Sequence, residues 1–148
     1  LFYLFIFLFR GKPYLKEKIS KNFTIPFKNL TFNKAVFDFI REQKNRHRVV
    51  YLISGSHQIL VDQLDRHLNI FFESFGTRDN FNMVSHNKVH FIKENLKIHD
   101  FDYLGNSHKD LPIWKYTKKS IHTNATQKLI KTIKSLDFED KEIPANFS

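Results

Sequence analysis

Asn106 and Asp110 stand four residues apart in a chain of 148 residues, within the stretch FDYLGNSHKDLPIW. The stretch opens on the apolar Phe101, Tyr103 and Leu104, turns at Gly105, and sets Asn106, Ser107 and Asp110 ahead of an apolar and aromatic segment ending at Trp114. A strand running through a loop into a short helix has this pattern. An amide and a carboxylate at the carboxyl end of such a strand can offer oxygens to a hard cation, because Mg²⁺ takes few protein ligands and keeps its waters and a substrate phosphate. The same residues suit a plain βα turn in which Asp110 caps the helix. Both readings stay open on this stretch.

Two further groups fall at expected strand ends. Ser54 closes an aliphatic run just before Gly55, and Lys88 sits in the first turn of a helix starting near Ser85. A hydroxyl, a fixed ammonium and a cation site are the parts needed to hold a phosphoryl group while charge spreads over its oxygens. A nucleophile is missing from the set. Taken singly, Ser54 is an ordinary turn former and Lys88 an ordinary solvated cation. Placed together at successive strand ends they point to an anion site, since chance polar residues would fall at the opposite edge as well.

Other chemistries are excluded or weakened. The chain has no cysteine, so disulfides, thiolate chemistry and Cys-ligated zinc or iron–sulfur sites are ruled out. Of eight histidines, His86 and His90 share a helix face without an HExxH pattern or a third ligand, which suits solvated positions. His57 and His108 lie at the expected active edge, where neutral imidazole can assist proton transfer. Four glycines in all leave no room for GxGxxG or a Walker motif.

The elements that must position these groups can be traced along the chain. The nine apolar residues from Leu1 to Phe9 read as a helix packed on several sides or lying against lipid. Gly11 and Pro13 break it, a basic amphipathic helix follows over residues 13–23, and residues 25–32 connect. A helix capped by Asn33 repeats Ala35, Val36, Phe39 and Ile40 at helical spacing and closes on basic residues 44–48. Residues 49–53 form a continuous aliphatic run, the mark of a parallel strand buried on both faces. Next come a helix over 56–68 with Ser56 as N-cap, a strand over 70–75 stopped by Gly76, and a helix burying Val89, Ile92 and Leu96. The Phe101 strand, a helix to Tyr116, an edge strand near 120–123 and a helix carrying Leu129, Ile130, Ile133 and Leu136 inward complete the order. Strand and helix alternate from Val49 to Leu136, which predicts right-handed βαβ crossovers and a three-layer α/β fold. The expected division is a helical segment over 1–32, an α/β core over 33–136 and a charged tail or linker over 137–148.

Charge is unevenly placed. Residues 1–50 carry 11 basic and 3 acidic groups, residues 51–100 carry 5 and 6, and residues 101–148 carry 8 and 6. The excess at the front fits an anionic membrane surface or simple solvation; a nucleic-acid partner is not expected, because the aromatics there suit a core. Nine apolar residues are too few to span a bilayer, which needs about 20. The start on Leu1 fits a piece of a longer protein.

Together the motifs VVYLISGSHQ, FGTRDNFNMVSHNK and GNSHKDLPIW, in this order and spacing, resemble the haloacid dehalogenase (HAD) superfamily. The nearest form is the HAD-like domain fused ahead of UbiA-type prenyltransferases and related to decaprenyl-phosphate phosphoribosyltransferase, where a segment like FLFRGKPYLKEKI precedes the second motif. The resemblance implies a Rossmann-like core with a parallel sheet, a small helical cap before it, and phosphoester hydrolysis through an aspartyl-phosphate with Mg²⁺. It makes Ser54 and Gly55 the phosphate-binding second motif, Lys88 the ammonium that neutralises the phosphoryl group, and Asn106 and Asp110 the metal positions. It implies a phosphorylated small molecule or lipid-linked phosphate as ligand, at the cytoplasmic face of a membrane. Three departures stand out. DxDGT, which supplies the nucleophile on the family's first strand, is not in the sequence, and is expected upstream with that strand; Asn106 replaces the usual Asp; and Ser85 replaces a frequent Gly. An inactive fragment, or a silent scaffold binding an anionic surface or protein, follows as the alternative.

Overall fold

Aliphatic runs in this chain build the middle layer of the structure, a computed structural model that describes residues 3–6, 24–29, 31–136 and 139–146. The strands are β1 (Tyr3–Ile6), β2 (Val49–His57), β3 (Ser74–Thr77), β4 (Phe101–Gly105), β5 (Lys119–Thr123) and β6 (Glu139–Ile143). They form one sheet in the order β3-β2-β1-β4-β5-β6, and every pairing is parallel. Parallel neighbours need crossovers, and the helices supply them.

Alternation along the strands sorts the two cores. Val50 and Leu104, with Ile121 and Ile143, meet Val36, Phe39 and Ile40 of α1 (Lys34–Asn45), while Leu52 meets Val61 and Leu64 of α2 (Gln58–Leu68). The alternate residues Tyr51, Ile53, Phe101 and Tyr103 face the other way. They pack on Val89 of α3 (His86–His90), Ile92 of the π-helical turn Phe91–Asn95, Ile113 and Trp114 of α4 (Leu111–Trp114), and Leu129 and Ile133 of α5 (Gln127–Ser135). This is the expected three-layer parallel α/β architecture.

Four expectations are corrected. Residues 1–9 were expected as helix, and the core was expected to lack its first strand; instead Tyr3–Ile6 pair with β2 on one side and β4 on the other. A run apolar on every side suits a buried parallel strand as well as a buried helix, and the facing backbone groups of β2 and β4 need a partner. The rest of the expected helical front, residues 7–23, lies outside the described residues. Second, β2 runs on to His57, so the N-cap of α2 is His57, whose Nδ1 accepts from the Ile59 N–H at 3.2 Å, and not Ser56. Third, Gly76 does not stop a strand over 70–75; it lies inside β3, where its N–H donates to Gln58 Oε1 at 2.6 Å.

Fourth, the expected tail over 137–148 contains β6, so β5 is not an edge strand. Ile143 is buried, and the segment is stitched to the start of α1. Asn33 Nδ2 donates to Pro144 O at 3.2 Å, and the Asn146 N–H donates to Asn33 Oδ1 at 3.1 Å. The charges of β6 hid its register from a sequence reading, because they are what an exposed edge strand carries to block further pairing.

Candidate anion-binding site

The carboxyl ends of β2 and β4 carry the expected groups. At β4 the chain must turn tightly, and Gly105 allows it: a Cβ there would stand 2.6 Å from Asp110 Oδ2. The turn continues into a 3₁₀ helix, His108–Asp110, capped by Ser107. Asp110 closes the capping box, its Oδ2 accepting from the N–H of Asn106 at 2.9 Å and of Ser107 at 3.0 Å. Its Oδ1 accepts from the Tyr103 hydroxyl at 2.8 Å. The capping reading of Asp110 is therefore observed, although Ser107 is the N-cap itself.

Lys88 reaches the same carboxylate from α3. That helix opens at Ser85, held at φ 49° and ψ −125°, a conformation that glycine adopts freely and other residues rarely. Lys88 is 5% exposed, and its Nζ donates to the Tyr103 hydroxyl at 3.0 Å while standing 3.9 Å from Asp110 Oδ1. Burial lowers its pKa from 10.5 to about 8, with the Asp110 carboxylate pulling the other way. The ammonium thus keeps its charge at neutral pH and loses it in mild alkali. Burial, and then the Asp110 charge and hydrogen bond, push the Tyr103 phenol well above 10.0. Tyr103 is itself locked: its ring meets Trp114 edge-on with centroids 6.3 Å apart, and Trp114 Nε1 donates to its carbonyl at 3.0 Å.

Ser54 and Gly55 sit at the other strand end, with β1 between β2 and β4. The pairing of β2 with β3 shifts register between Ile53 and His57, an irregularity of the kind that re-aims side chains at sheet ends. Ser54 Oγ accepts from the Ser56 N–H at 3.1 Å, so the buried hydroxyl bonds within its own turn and not to Lys88 or Asp110. The loop ahead of α3 crosses over Gly55, where a Cβ would stand 3.0 Å from Val84 Cγ1. Thr77 ties these pieces together: its hydroxyl donates to Gly55 O at 2.8 Å and accepts from the Met83 N–H at 3.0 Å. The structure thus brings Lys88, Asp110 and the backbone of Asn106 into one hydrogen-bonded group, and sets Ser54 and Gly55 at the same sheet edge without a direct bond to it.

Sequence reasoning missed two of these groups. Tyr103 was counted as apolar filling, although a buried tyrosine hydroxyl normally finds a partner. Thr77 had no signal beyond its place after a strand. Among the histidines, His86, His90 and His108 are exposed, and His57 stands 3.7 Å from exposed Asp79.

Of Asn106 and Asp110, the expected metal positions, the carboxylate is already engaged. Asp110 already takes three hydrogen bonds and faces an ammonium, and no group of three His, Asp or Glu able to hold a metal occurs among the described residues. Mg²⁺ takes few protein ligands, but those it takes must be free to bind it, and Asp110 would have to give up a hydrogen bond to do so. No step is therefore assigned to a metal.

With this geometry in hand, the chain can be set beside known proteins. No protein-family profile matches it. It is 31% identical over 106 residues to the uncharacterized protein y4nM of Sinorhizobium fredii (strain NBRC 101917 / NGR234), a match covering 72% of this chain and 20% of that protein. The chain thus spans a fifth of that relative's length. Among solved structures it is similar to the HAD family hydrolase t0658 of Salmonella enterica subsp. enterica serovar Typhi, with TM-score 0.59 and 17% identity, over 77% of this chain and 43% of the other. It is also similar to a substrate-bound phosphoserine phosphatase, with TM-score 0.56 and 20% identity, over 79% and 62% of the two chains. The likeness to these two proteins is one of fold. No helix among the described residues is long and apolar enough to cross a membrane.

Proposed function

We propose that this chain is the phosphoryl-binding core of a HAD-type phosphohydrolase domain, with a phosphorylated small molecule or a lipid-linked phosphate as its ligand. The observation that carries the reading is the buried Lys88 ammonium, held by Tyr103 beside Asp110 at the sheet edge where strands of this fold present their ligands. Lys88 supplies positive charge to a phosphate, and the Ser54 hydroxyl and the Gly55 turn supply hydrogen bonds from the end of β2. Covalent transfer needs a nucleophile at the end of the central strand. Phe7, Leu8 and Phe9 follow Ile6 in the sequence, and none carries a nucleophilic atom, so this chain is expected to bind phosphate without hydrolysing an ester.

Titration of the full chain with inorganic phosphate, followed through backbone amide resonances, tests the reading. Saturable shifts at residues 54–56 and at Lys88 are expected, together with no turnover of p-nitrophenyl phosphate. Phosphate that moves neither group sinks the proposal. The likeness of FLFRGKPYLKEKI and GNSHKDLPIW to prenyltransferase-fused domains supports a further proposal, that the parent protein carries successive apolar segments of about 20 residues downstream. Reading the gene past its 3′ end decides it.

A second reading rests on the 11 basic against 3 acidic residues in positions 1–50. It makes the chain a catalytically silent scaffold that docks on an anionic membrane surface, at the cytoplasmic face. Co-sedimentation with phosphatidylserine vesicles that weakens with salt is its expected result, and equal binding to neutral vesicles rejects it.

A further inference from the structure

Among the described residues Asp110 is the carboxylate at the Lys88 rim that the fold places where a metal ligand is expected, and three hydrogen bonds already engage it. Two backbone N–H groups fill Oδ2, at 2.9 and 3.0 Å, and the Tyr103 hydroxyl fills Oδ1 at 2.8 Å. The remaining approach faces the Lys88 ammonium at 3.9 Å. Lys88, Tyr103 and Asp110 are 5%, 0% and 4% exposed, so water does not screen the pair. A cation entering here must strip the tyrosine hydroxyl or open the capping box, and it must sit against a positive charge. The neighbouring Asn106 offers no compensating charge.

We infer that the Lys88 ammonium is the resident cation of this site, standing in for a divalent metal, so that the rim receives a phosphate oxyanion without Mg²⁺. The inference rests on the phosphate reading only for the identity of the anion; the exclusion of the metal stands on the Asp110 geometry. Tyr103 is the positioning residue: by standing between the two charges it keeps the ammonium from closing onto one carboxylate oxygen, as a direct pair at hydrogen-bond distance would.

Mn²⁺, a paramagnetic stand-in for Mg²⁺, gives a local readout on the full chain, because it broadens only amides near its binding site. The Asn106 and Ser107 amides, which donate to Asp110, are the reporters. In the native chain both are expected to stay sharp under millimolar Mn²⁺, and Mg²⁺ is expected to leave the melting midpoint unchanged. In Lys88→Met the carboxylate loses its built-in counter-charge, and both amides are expected to broaden saturably. Lys88→Gln serves the same purpose if Lys88→Met fails to fold. Broadening in the native chain that disappears in Asp110→Asn overturns the inference. Sharp reporters in both the native chain and the Lys88 variants overturn the assignment of Lys88 as the occupying charge. A parallel phosphate titration in EDTA separates the two proposals: phosphate that fails to bind defeats the phosphate reading alone, and phosphate that binds only with Mg²⁺ defeats this one.

Discussion

At the amino end of the sheet Arg48 Nη2 donates to Asp102 Oδ2 at 2.8 Å and Nη1 donates to Gln43 Oε1 at 2.6 Å; at the carboxyl end Lys88 and Asp110 stand 3.9 Å apart with a tyrosine hydroxyl between them. Both pairs are largely buried, the first at 11% and 13% side-chain exposure and the second at 6% and 6%. The first pair links the strands on either side of β1, since Asp102 lies in β4 and Arg48 leads into β2, whereas the second joins α3 to the turn after β4. Their construction differs. Asp102 meets its arginine directly, and the planar fork shares its remaining reach with a glutamine. Asp110 rests on backbone amides and a phenol, and its lysine is held at one remove. A direct guanidinium pair makes a clamp, whereas the ammonium reaches its carboxylate through a phenol hydroxyl.

Mutation breaks the comparison most sharply where the carboxylate depends on its cation. Arg48→Met strands Asp102 in a nearly dry site and is expected to lose about 3–5 kcal/mol. Pairing it with Asp102→Leu is expected to recover most of that loss, since a well-packed apolar pair replaces a buried ion pair at little cost. Lys88→Met leaves Asp110 with three donors and relieves the burial of an ammonium, so about 1 kcal/mol or less is expected. Urea midpoints of the three variants measure the difference. Equal losses at Arg48 and Lys88 would mean that the two ends are the same device.

The pH dependence sharpens the contrast at the carboxyl end. Lys88 has a folded pKa of about 8 against 10.5 when free, so in that interval the unfolded chain binds a proton that the native chain lacks. Its contribution to stability therefore rises with pH from about 8 towards 10.5, with a slope of at most about 1.4 kcal/mol per pH unit. Tyr103 acts in the opposite sense above 10, because its folded pKa is raised and the unfolded chain ionises first. Urea unfolding across this window is expected to show the rise in the native chain and a flat profile in Lys88→Met. Phosphate affinity is expected to fall over the same rise in pH, as the ammonium empties.

Tyr103→Phe falls between the Arg48 and Lys88 variants in size. It removes one acceptor for Lys88 and one donor to Asp110 in a fully buried position, and a loss of about 1–3 kcal/mol is expected in the same urea assay. A loss confined to a few tenths would show that water or a direct Lys88–Asp110 contact replaces the hydroxyl.

The residues that announced themselves in the sequence are those with a local signature. GNSHKDLPIW showed its strand, turn and capped helix because each step depends on neighbours: Gly105 for the close approach of Asp110, Ser107 for the cap, and Pro112 in the first turn of α4. Asn33 and the stripe of α1 were legible for the same reason. What escaped depends on partners far along the chain. Nothing local distinguishes Tyr103 from a core aromatic, because its hydroxyl is defined by Lys88, 15 residues earlier in the sequence. β1 and β6 escaped by opposite routes. The first is apolar on every side and so lacks a period, and the second is charged like an edge strand and so resembles a tail. Sheet position is settled by long-range pairing, which a local pattern does not encode.

A last pair of substitutions tests whether strain is concentrated at the site end. Ser85 holds φ 49° and ψ −125° at the start of the helix that delivers Lys88, and such a conformation costs a non-glycine residue about 1–3 kcal/mol. Glycine adopts it without that penalty, but loses about 0.5–1 kcal/mol to the greater freedom of its unfolded chain. Ser85→Gly is therefore expected to gain up to about 2.5 kcal/mol, read as a higher urea midpoint. At the amino end His47 also has a positive φ, 61°, where α1 gives way to β2 and its N–H donates to Lys44 O at 2.9 Å. A left-handed residue closing a helix is an ordinary terminator, so His47→Gly is expected to change stability by less than about 0.5 kcal/mol. A larger gain at His47 than at Ser85 would place the strain in the scaffold, and the loop before α3 would then hold Lys88 without stored cost.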